Sequence, residues 1–228
     1  MNGDLVVCPD VPAFAPDEKM QYFMKKTTPG VNRLLVGDSE NPAVKPIIRF
    51  ASGKGLVIGK GLPGRFPASG EFYLYNAEIT AARPDESGMI GSAALADGSL
   101  LLSARSLRMI NSKIAWVKNG VSGPKGAWGH LMDGVVFEHC GKGLSWYFDN
   151  SALLGPLQNC SFLNCGTALE YPYTSVMLKK CRFEGNSANW VLAKNLKKLI
   201  LADCDVGKPL KGNVETDAGQ VVIENGKR

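Results

Sequence analysis

Apolar residues recur in this chain at a spacing far longer than a helical turn or a strand alternation. Residues 133–144 (DGVVFEHCGKGL) and 158–169 (QNCSFLNCGTAL) align without a gap at an offset of 25. Phe137 then meets Phe162, Cys140 meets Cys165, Gly141 meets Gly166 and Leu144 meets Leu169. Phe183 and Val206 continue the Phe position downstream, and Ile114 and Ile79 fill it upstream, at successive steps of 35, 23, 25, 21 and 23 residues. Self-similarity at such a period marks an architecture of stacked repeats.

Flanking columns carry the same signal. Two residues before the Phe position stand Ala77, Ser112, Val135, Cys160, Cys181 and Cys204. Five before it stand Leu74, Met109, Met132, Leu157, Leu178 and Leu201, apolar in every row. Seven before it stand Phe72, Leu107, His130, Gly155, Val176 and Leu199. Residues two apart share one face of a strand, so each row contains two short strands with inward-facing apolar pairs. The inward parity changes between the pairs, and a bend must lie there. The position at the bend reads Asn76, Asn111, Gly134, Asn159, Lys180 and Asp203, mostly residues that tolerate left-handed backbone. Each row is therefore strand, corner, strand and a longer Gly-rich return, and the rows stack about 4.8 Å apart into a rod. The predicted fold is all-β: a right-handed, single-stranded parallel β-helix.

The remaining segments are assigned around that rod. Residues 16–26 read as one short helix. Pro16 fits its first turn, Asp17 and Glu18 its N-terminus, and Lys25 and Lys26 its C-terminus. We take it as an N-terminal cap within a cap region at 1–43, with coils over 44–225 and the whole chain 1–228 as one domain. Within residues 44–60, Ile47 to Phe50 and Leu56 to Ile58 read as two early strands joined by a turn. The long first step places an insertion in residues 82–98, and residues 208–217 read as polar loop before a strand-like Val221 to Glu224.

Composition narrows the classes. The 228 residues are 45% hydrophobic and 21% charged, as in ordinary globular proteins, with a mild net charge of +5. No basic block with interleaved aromatics argues for nucleic acid as a partner. No apolar run is long enough to span a bilayer, and the first residues lack the pattern of a signal peptide. The six cysteines form no CxxC pair and only two histidines accompany them, so no metal site is expected. In the rod, Cys160, Cys181 and Cys204 form one stack of small core residues, and Cys140 and Cys165 a second. The competing reading, disulfides between adjacent coils, fits the required torsion less well.

The rows resemble those of the pectate-lyase-like β-helix superfamily, best in residues 158–166 (QNCSFLNCG), with the likeness covering residues 72–207. The resemblance implies an extracellular, periplasmic or surface setting and a module that binds or processes a polysaccharide, as a lyase or glycoside hydrolase if it is an enzyme. Calcium assists some members, but no cofactor is evident in this sequence. The Asn-Thr-Asp, Gly-His-Gly and Arg-Ile-Lys signatures of the polygalacturonase branch are missing, so no catalytic residue is carried over. The alternative is a structural or adhesion module, or a spacer of a larger surface protein.

Candidate chemistry must sit on the outer faces. One outward column reads Glu78, Lys113, Val136, Ser161, Arg182, Asp205, with opposite charges on neighbouring rungs as in surface ion pairs. The other reads Thr80, Ala115, Glu138, Leu163, Glu184, Gly207. Glu138 and Glu184 lie about 10 Å apart across one rung, a spacing that suits an inverting carboxylate pair. Arg182 and the turn residue His139 complete the catalytic candidates. For substrate contact, Trp146 aligns with Tyr171, and Phe148 with Tyr173, on consecutive coils, flanked by Asp149 and Glu170. These rings either form a platform for sugar faces or pack a lateral loop onto the rod.

Overall fold

The computed structural model describes residues 5–7, 31–37, 43, 45–50, 57–58, 69–81, 99–102, 104–123, 131–146, 157–170, 176–192, 198–215 and 220–225. Strands are numbered β1 to β22 in chain order. Sheet I holds β1 (Leu5–Val7), β3 (Ile47–Phe50), β6 (Glu78–Ala81), β9 (Lys113–Ala115), β12 (Val136–Glu138), β15 (Ser161–Leu163), β18 (Arg182–Glu184) and β21 (Asp205–Val206), in that order. Sheet II holds β2 (Val31–Val36), β5 (Ser69–Tyr75), β8 (Ala104–Ile110), β11 (Leu131–Asp133), β14 (Leu157–Gln158), β17 (Val176–Lys179), β20 (Lys198–Ala202) and β22 (Gln220–Glu224). Sheet III holds β4 (Val57–Ile58), β7 (Ser99–Leu102), β10 (Asn119–Gly123), β13 (Lys142–Trp146), β16 (Thr167–Glu170) and β19 (Ala188–Val191). Successive coils contribute one strand to each sheet, and every pairing is parallel except β1 with β3. The chain is a parallel β-helix.

The repeat columns are the register. Ile79, Ile114, Phe137, Phe162 and Phe183 pair in order along sheet I, and Phe183 pairs with Val206. The three Phe rings are fully buried and stack with centroids 5.1 and 5.0 Å apart at interplanar angles of 4° and 15°. An in-register parallel ladder places identical side chains one strand spacing apart, so planar rings lie face to face with an offset. Sheet III makes room for them with small residues. A Cβ added to Gly120 would sit 2.9 Å from the Phe137 ring, and one on Gly143 would sit 3.0 Å from the Phe162 ring.

The corner between sheets II and I is left-handed in every row: Asn76, Asn111, Asn159, Lys180 and Asp203 have φ between 47° and 53°, and Gly134 has 65°. A second left-handed corner leads from sheet I to sheet III, at Trp116, His139, Asn164 and Gly185, with φ from 52° to 65°. This corner and the third strand per coil occupy what the sequence presented as a Gly-rich return. Coils also begin earlier than residue 44, because β2 pairs with β5, Leu34 opposite Phe72 and Val36 opposite Leu74. The helix expected over 16–26 and the insertion at 82–98 lie outside the described residues.

The cysteines sit just inside the corners. Cys140, Cys160, Cys165, Cys181 and Cys204 are free thiols and buried. Each lies one residue after a left-handed corner residue and directs its S–H to the carbonyl two residues back, from 3.2 Å for Cys160 to 3.6 Å for Cys140 and Cys165. Ser112 does the same, its Oγ donating to the Ile110 carbonyl at 2.8 Å. A small side chain with one donor thus fills the inner corner and serves the carbonyl there. Hydrogen bonding to Cys160, together with burial, pushes the Cys181 thiol up to about 12, so it stays neutral. Burial raises Cys140 well above the ordinary thiol range as well.

Candidate functional site

The core is closed by like-on-like packing, so any ligand must meet an outer face or an end of the rod. On sheet I, β12, β15 and β18 place Glu138, Leu163 and Glu184 on successive rungs. Lys113 Nζ lies 2.6 Å from Glu138 Oε2, and the Arg182 guanidinium bonds the Glu184 carboxylate two residues along its own strand. Cation and carboxylate are thus paired within the protein, and half-buried Leu163 separates the two acids. Such partly exposed pairs contribute about 0–1 kcal/mol each. Thr80 and Ala115, further along the same column, are buried. His139 has φ 52° and stacks on Trp116 with centroids 4.1 Å apart, which gives it a place in the corner ladder.

On sheet III, Glu170 is held by two partners. Ser145 Oγ donates to its Oε2 at 2.8 Å, and Lys142 Nζ lies 2.6 Å from its Oε1. Its side chain is only 12% exposed. Both carboxylate oxygens are therefore engaged, and the group ties β13 to β16. The backbone of Trp146 ends β13, opposite Gly123. Asp149, Tyr171 and Tyr173 lie outside the described residues. Trp190, on the neighbouring strand β19, points inward: it is 4% exposed and meets Phe183 edge-on at 6.2 Å.

The outer face of sheet II presents a different set. Leu74 is fully buried in its inward column, so its strand neighbours Tyr73 and Tyr75 face out from β5, their ring centroids 6.2 Å apart. Arg108, exposed on the neighbouring strand and opposite Tyr73, places its guanidinium 5.7 Å from that ring's centroid. Ile110 lies opposite Tyr75, and Leu131 and Asp133 continue the two columns onto β11. Gln158 Nε2 donates to Asp133 Oδ2 and Asn159 Nδ2 to Asp133 Oδ1, both at 2.7 Å, which fixes the carboxylate as an acceptor. Beyond it, Met177, Ile200 and Val222 form an outward apolar column on β17, β20 and β22. Two aromatic faces, one stacked cation and one anchored carboxylate along a flat strip can hold an extended ligand by apolar contact and directional hydrogen bonds. The sequence carried this signal: once Leu74 is inward, residues 73 and 75 must face out.

No group of three His, Cys, Asp or Glu that could hold a metal ion occurs among the described residues, and no helix there is long and apolar enough to cross a membrane. The fold defines the chain as a parallel β-solenoid. No family model, no curated protein and no solved structure matches it.

Proposed function

We propose that the protein is a polysaccharide-binding β-helix module that lays an extended glycan along the outer face of sheet II. The observation that carries this reading is the pair Tyr73 and Tyr75, outward on one strand with centroids 6.2 Å apart and Arg108 over the first ring. Pyranose faces are apolar and stack on exposed rings, while Arg108 and Asp133 address hydroxyl or carboxylate groups at the edge. Binding rather than turnover is favoured because Glu138, Glu184 and Arg182 are engaged with neighbours and His139 is stacked at a corner. The reading carries with it a place among pectate-lyase-like β-helices, supported by the Asn-Cys-x-Phe-x-Asn-Cys row, and an extracellular or surface setting.

Calorimetric titration with soluble acidic and neutral polysaccharides tests it. We expect saturable binding to at least one of them, lost on replacing both Tyr73 and Tyr75 by Ala and weakened about fivefold by Arg108→Ala, in line with about 1 kcal/mol for a stacked cation. Absence of binding to every glycan, or binding indifferent to those changes, defeats the reading. Release of unsaturated uronate, read by ultraviolet absorbance, would replace binding by lyase activity.

A further inference from the structure

Three neighbouring rungs of sheet II carry an outer face of their own. β17, β20 and β22 present two outward columns: Met177, Ile200 and Val222 in one, and Lys179, Ala202 and Glu224 in the other. Met177 is 39% exposed, and Ile200 and Val222 are half-buried, although parity turns all three away from the core. Lys179 and Glu224 are exposed. On sheets I and III, charges pair within the chain, Lys113 with Glu138, Arg182 with Glu184 and Lys142 with Glu170. Among the described residues Lys179 and Glu224 have no such partner. They stand two rungs apart, about 10 Å, with the small Ala202 between them.

We propose that these rungs form a self-association face, on which two copies of the chain pack about a two-fold axis lying along β20. Such an axis keeps each column opposite itself and reverses the order of the rungs. Met177 of one copy then lies over Val222 of the other, Ile200 over Ile200, Ala202 over Ala202, and Lys179 over Glu224, the ion pair forming twice by symmetry. The strands of the two sheets run the same way at the axis, as aligned sheet packing requires. A two-fold axis along the rod would instead set Lys179 against Met177 or against its own copy, leaving both charges unpaired. Another protein would need the matching order of cation, small residue and carboxylate, which this chain already supplies to itself. Like charges meet only at the margins, where Lys198 and Asp203 each face their own copy. Three rungs cover about 14 Å of the rod, far less surface than the roughly 800 Å² per partner of a standard complex, so the dimer is weak, with a Kd on the order of 100 μM.

Sedimentation equilibrium of the full chain, over a concentration series spanning that constant, tests it. We expect a monomer–dimer equilibrium with no larger species. Ile200→Lys sets two cations on the axis and should abolish the dimer. Lys179→Glu and Glu224→Lys should each weaken it about tenfold, by turning both ion pairs into like-charge contacts. A mixture of those two variants should associate as well as the original chain, because each copy then supplies the charge the other lacks. Lys198→Ala should strengthen the dimer about threefold by removing the like charge at the margin. If Ile200→Lys fails to fold, the mixture of surface variants decides alone. No association across the series, a dimer that Ile200→Lys leaves intact, or a mixture no stronger than either variant by itself would overturn the proposal. Tyr73, Tyr75 and Arg108 lie on β5 and β8, outside these rungs, so none of these outcomes bears on the glycan test.

Discussion

The middle coils and the C-terminal coils solve one packing problem in two ways. In the middle, Phe137, Phe162 and Phe183 stack as a continuous ladder, and the second inner corner is filled by Cys140 and Cys165. Toward the C-terminal end the ladder steps down to Val206, Trp190 turns edge-on to Phe183, and Asn186 takes the corner place of the thiols. Asn186 is fully buried, and the network it starts spans three rows. Its Oδ1 accepts from Cys165 N at 2.8 Å, and its Nδ2 donates to the Phe162 carbonyl at 3.0 Å and to Asn189 Oδ1 at 3.1 Å. Asn189 donates on to the Gly207 carbonyl at 2.7 Å, and Asn213 Oδ1 accepts from Asn189 N at 2.9 Å. Where side chains repeat, apolar stacking holds rows together. Where they stop repeating, directional hydrogen bonds take over and pull residues 210–214 onto the last coil, through Leu210 N to the Asn186 carbonyl and Val214 N to the Trp190 carbonyl.

If the contrast is right, Phe162→Ala has the largest effect. Its ring is sandwiched on both faces, and truncation should cost about 3–5 kcal/mol, read as a lowered midpoint of urea unfolding. Val206→Ala, half-buried at the end of the same column, should cost about 1 kcal/mol or less. Equal losses would show that the column is not graded.

Asn186→Ala comes next, at about 1–3 kcal/mol, because it orphans the buried Cys165 N–H and takes a donor away from the Phe162 carbonyl. Hydrogen exchange should rise first in residues 186–214. A uniform rise along the rod would mean that the asparagine network does not hold the C-terminal coils in particular.

The smallest effect has the opposite sign. Lys180 holds φ 53° in a corner that other rows give to Asn, Asp or Gly. Lys180→Gly should relieve a left-handed strain of about 1–2 kcal/mol, offset in part by the larger backbone entropy of glycine in the unfolded chain. A net gain of about 0.5 kcal/mol in the same urea experiment is expected, and a loss would mean that the Lys180 side chain contributes more than its strain costs.

Much of this is legible in the sequence. The Phe column, the inner columns, the first corner and the thiol stacks all follow from residues that repeat at one period and alternate within a strand. The row headed by Val36 escaped because Val36 pairs with Leu74 and Ile48 with Ile79, so that twelve positions separate the two registers where the other rows take five, as from Leu74 to Ile79. The third strand escaped because sheet III buries neighbouring residues, Leu144 beside Gly143 and Leu169 beside Ala168, which breaks the alternation that identifies a strand. The second corner escaped because Trp116, His139, Asn164 and Gly185 share a backbone conformation but no side-chain chemistry.

The candidate site divides along the same line. Which residues face outward was decided by parity, so the rungs of Glu138, Leu163 and Glu184, and of Tyr73 and Arg108, could be written from the sequence. Which outward groups are engaged was not. Lys113 reaches Glu138, Arg182 closes on Glu184, and Glu170 is held by Ser145 and Lys142. The sequence alone determined the register, because stacking like on like leaves one way to bury four inward columns repeated over six rows. Only the tertiary structure decided the partners of the charged groups. Long side chains choose among several neighbours on adjacent rungs, and parity alone does not say which one each takes.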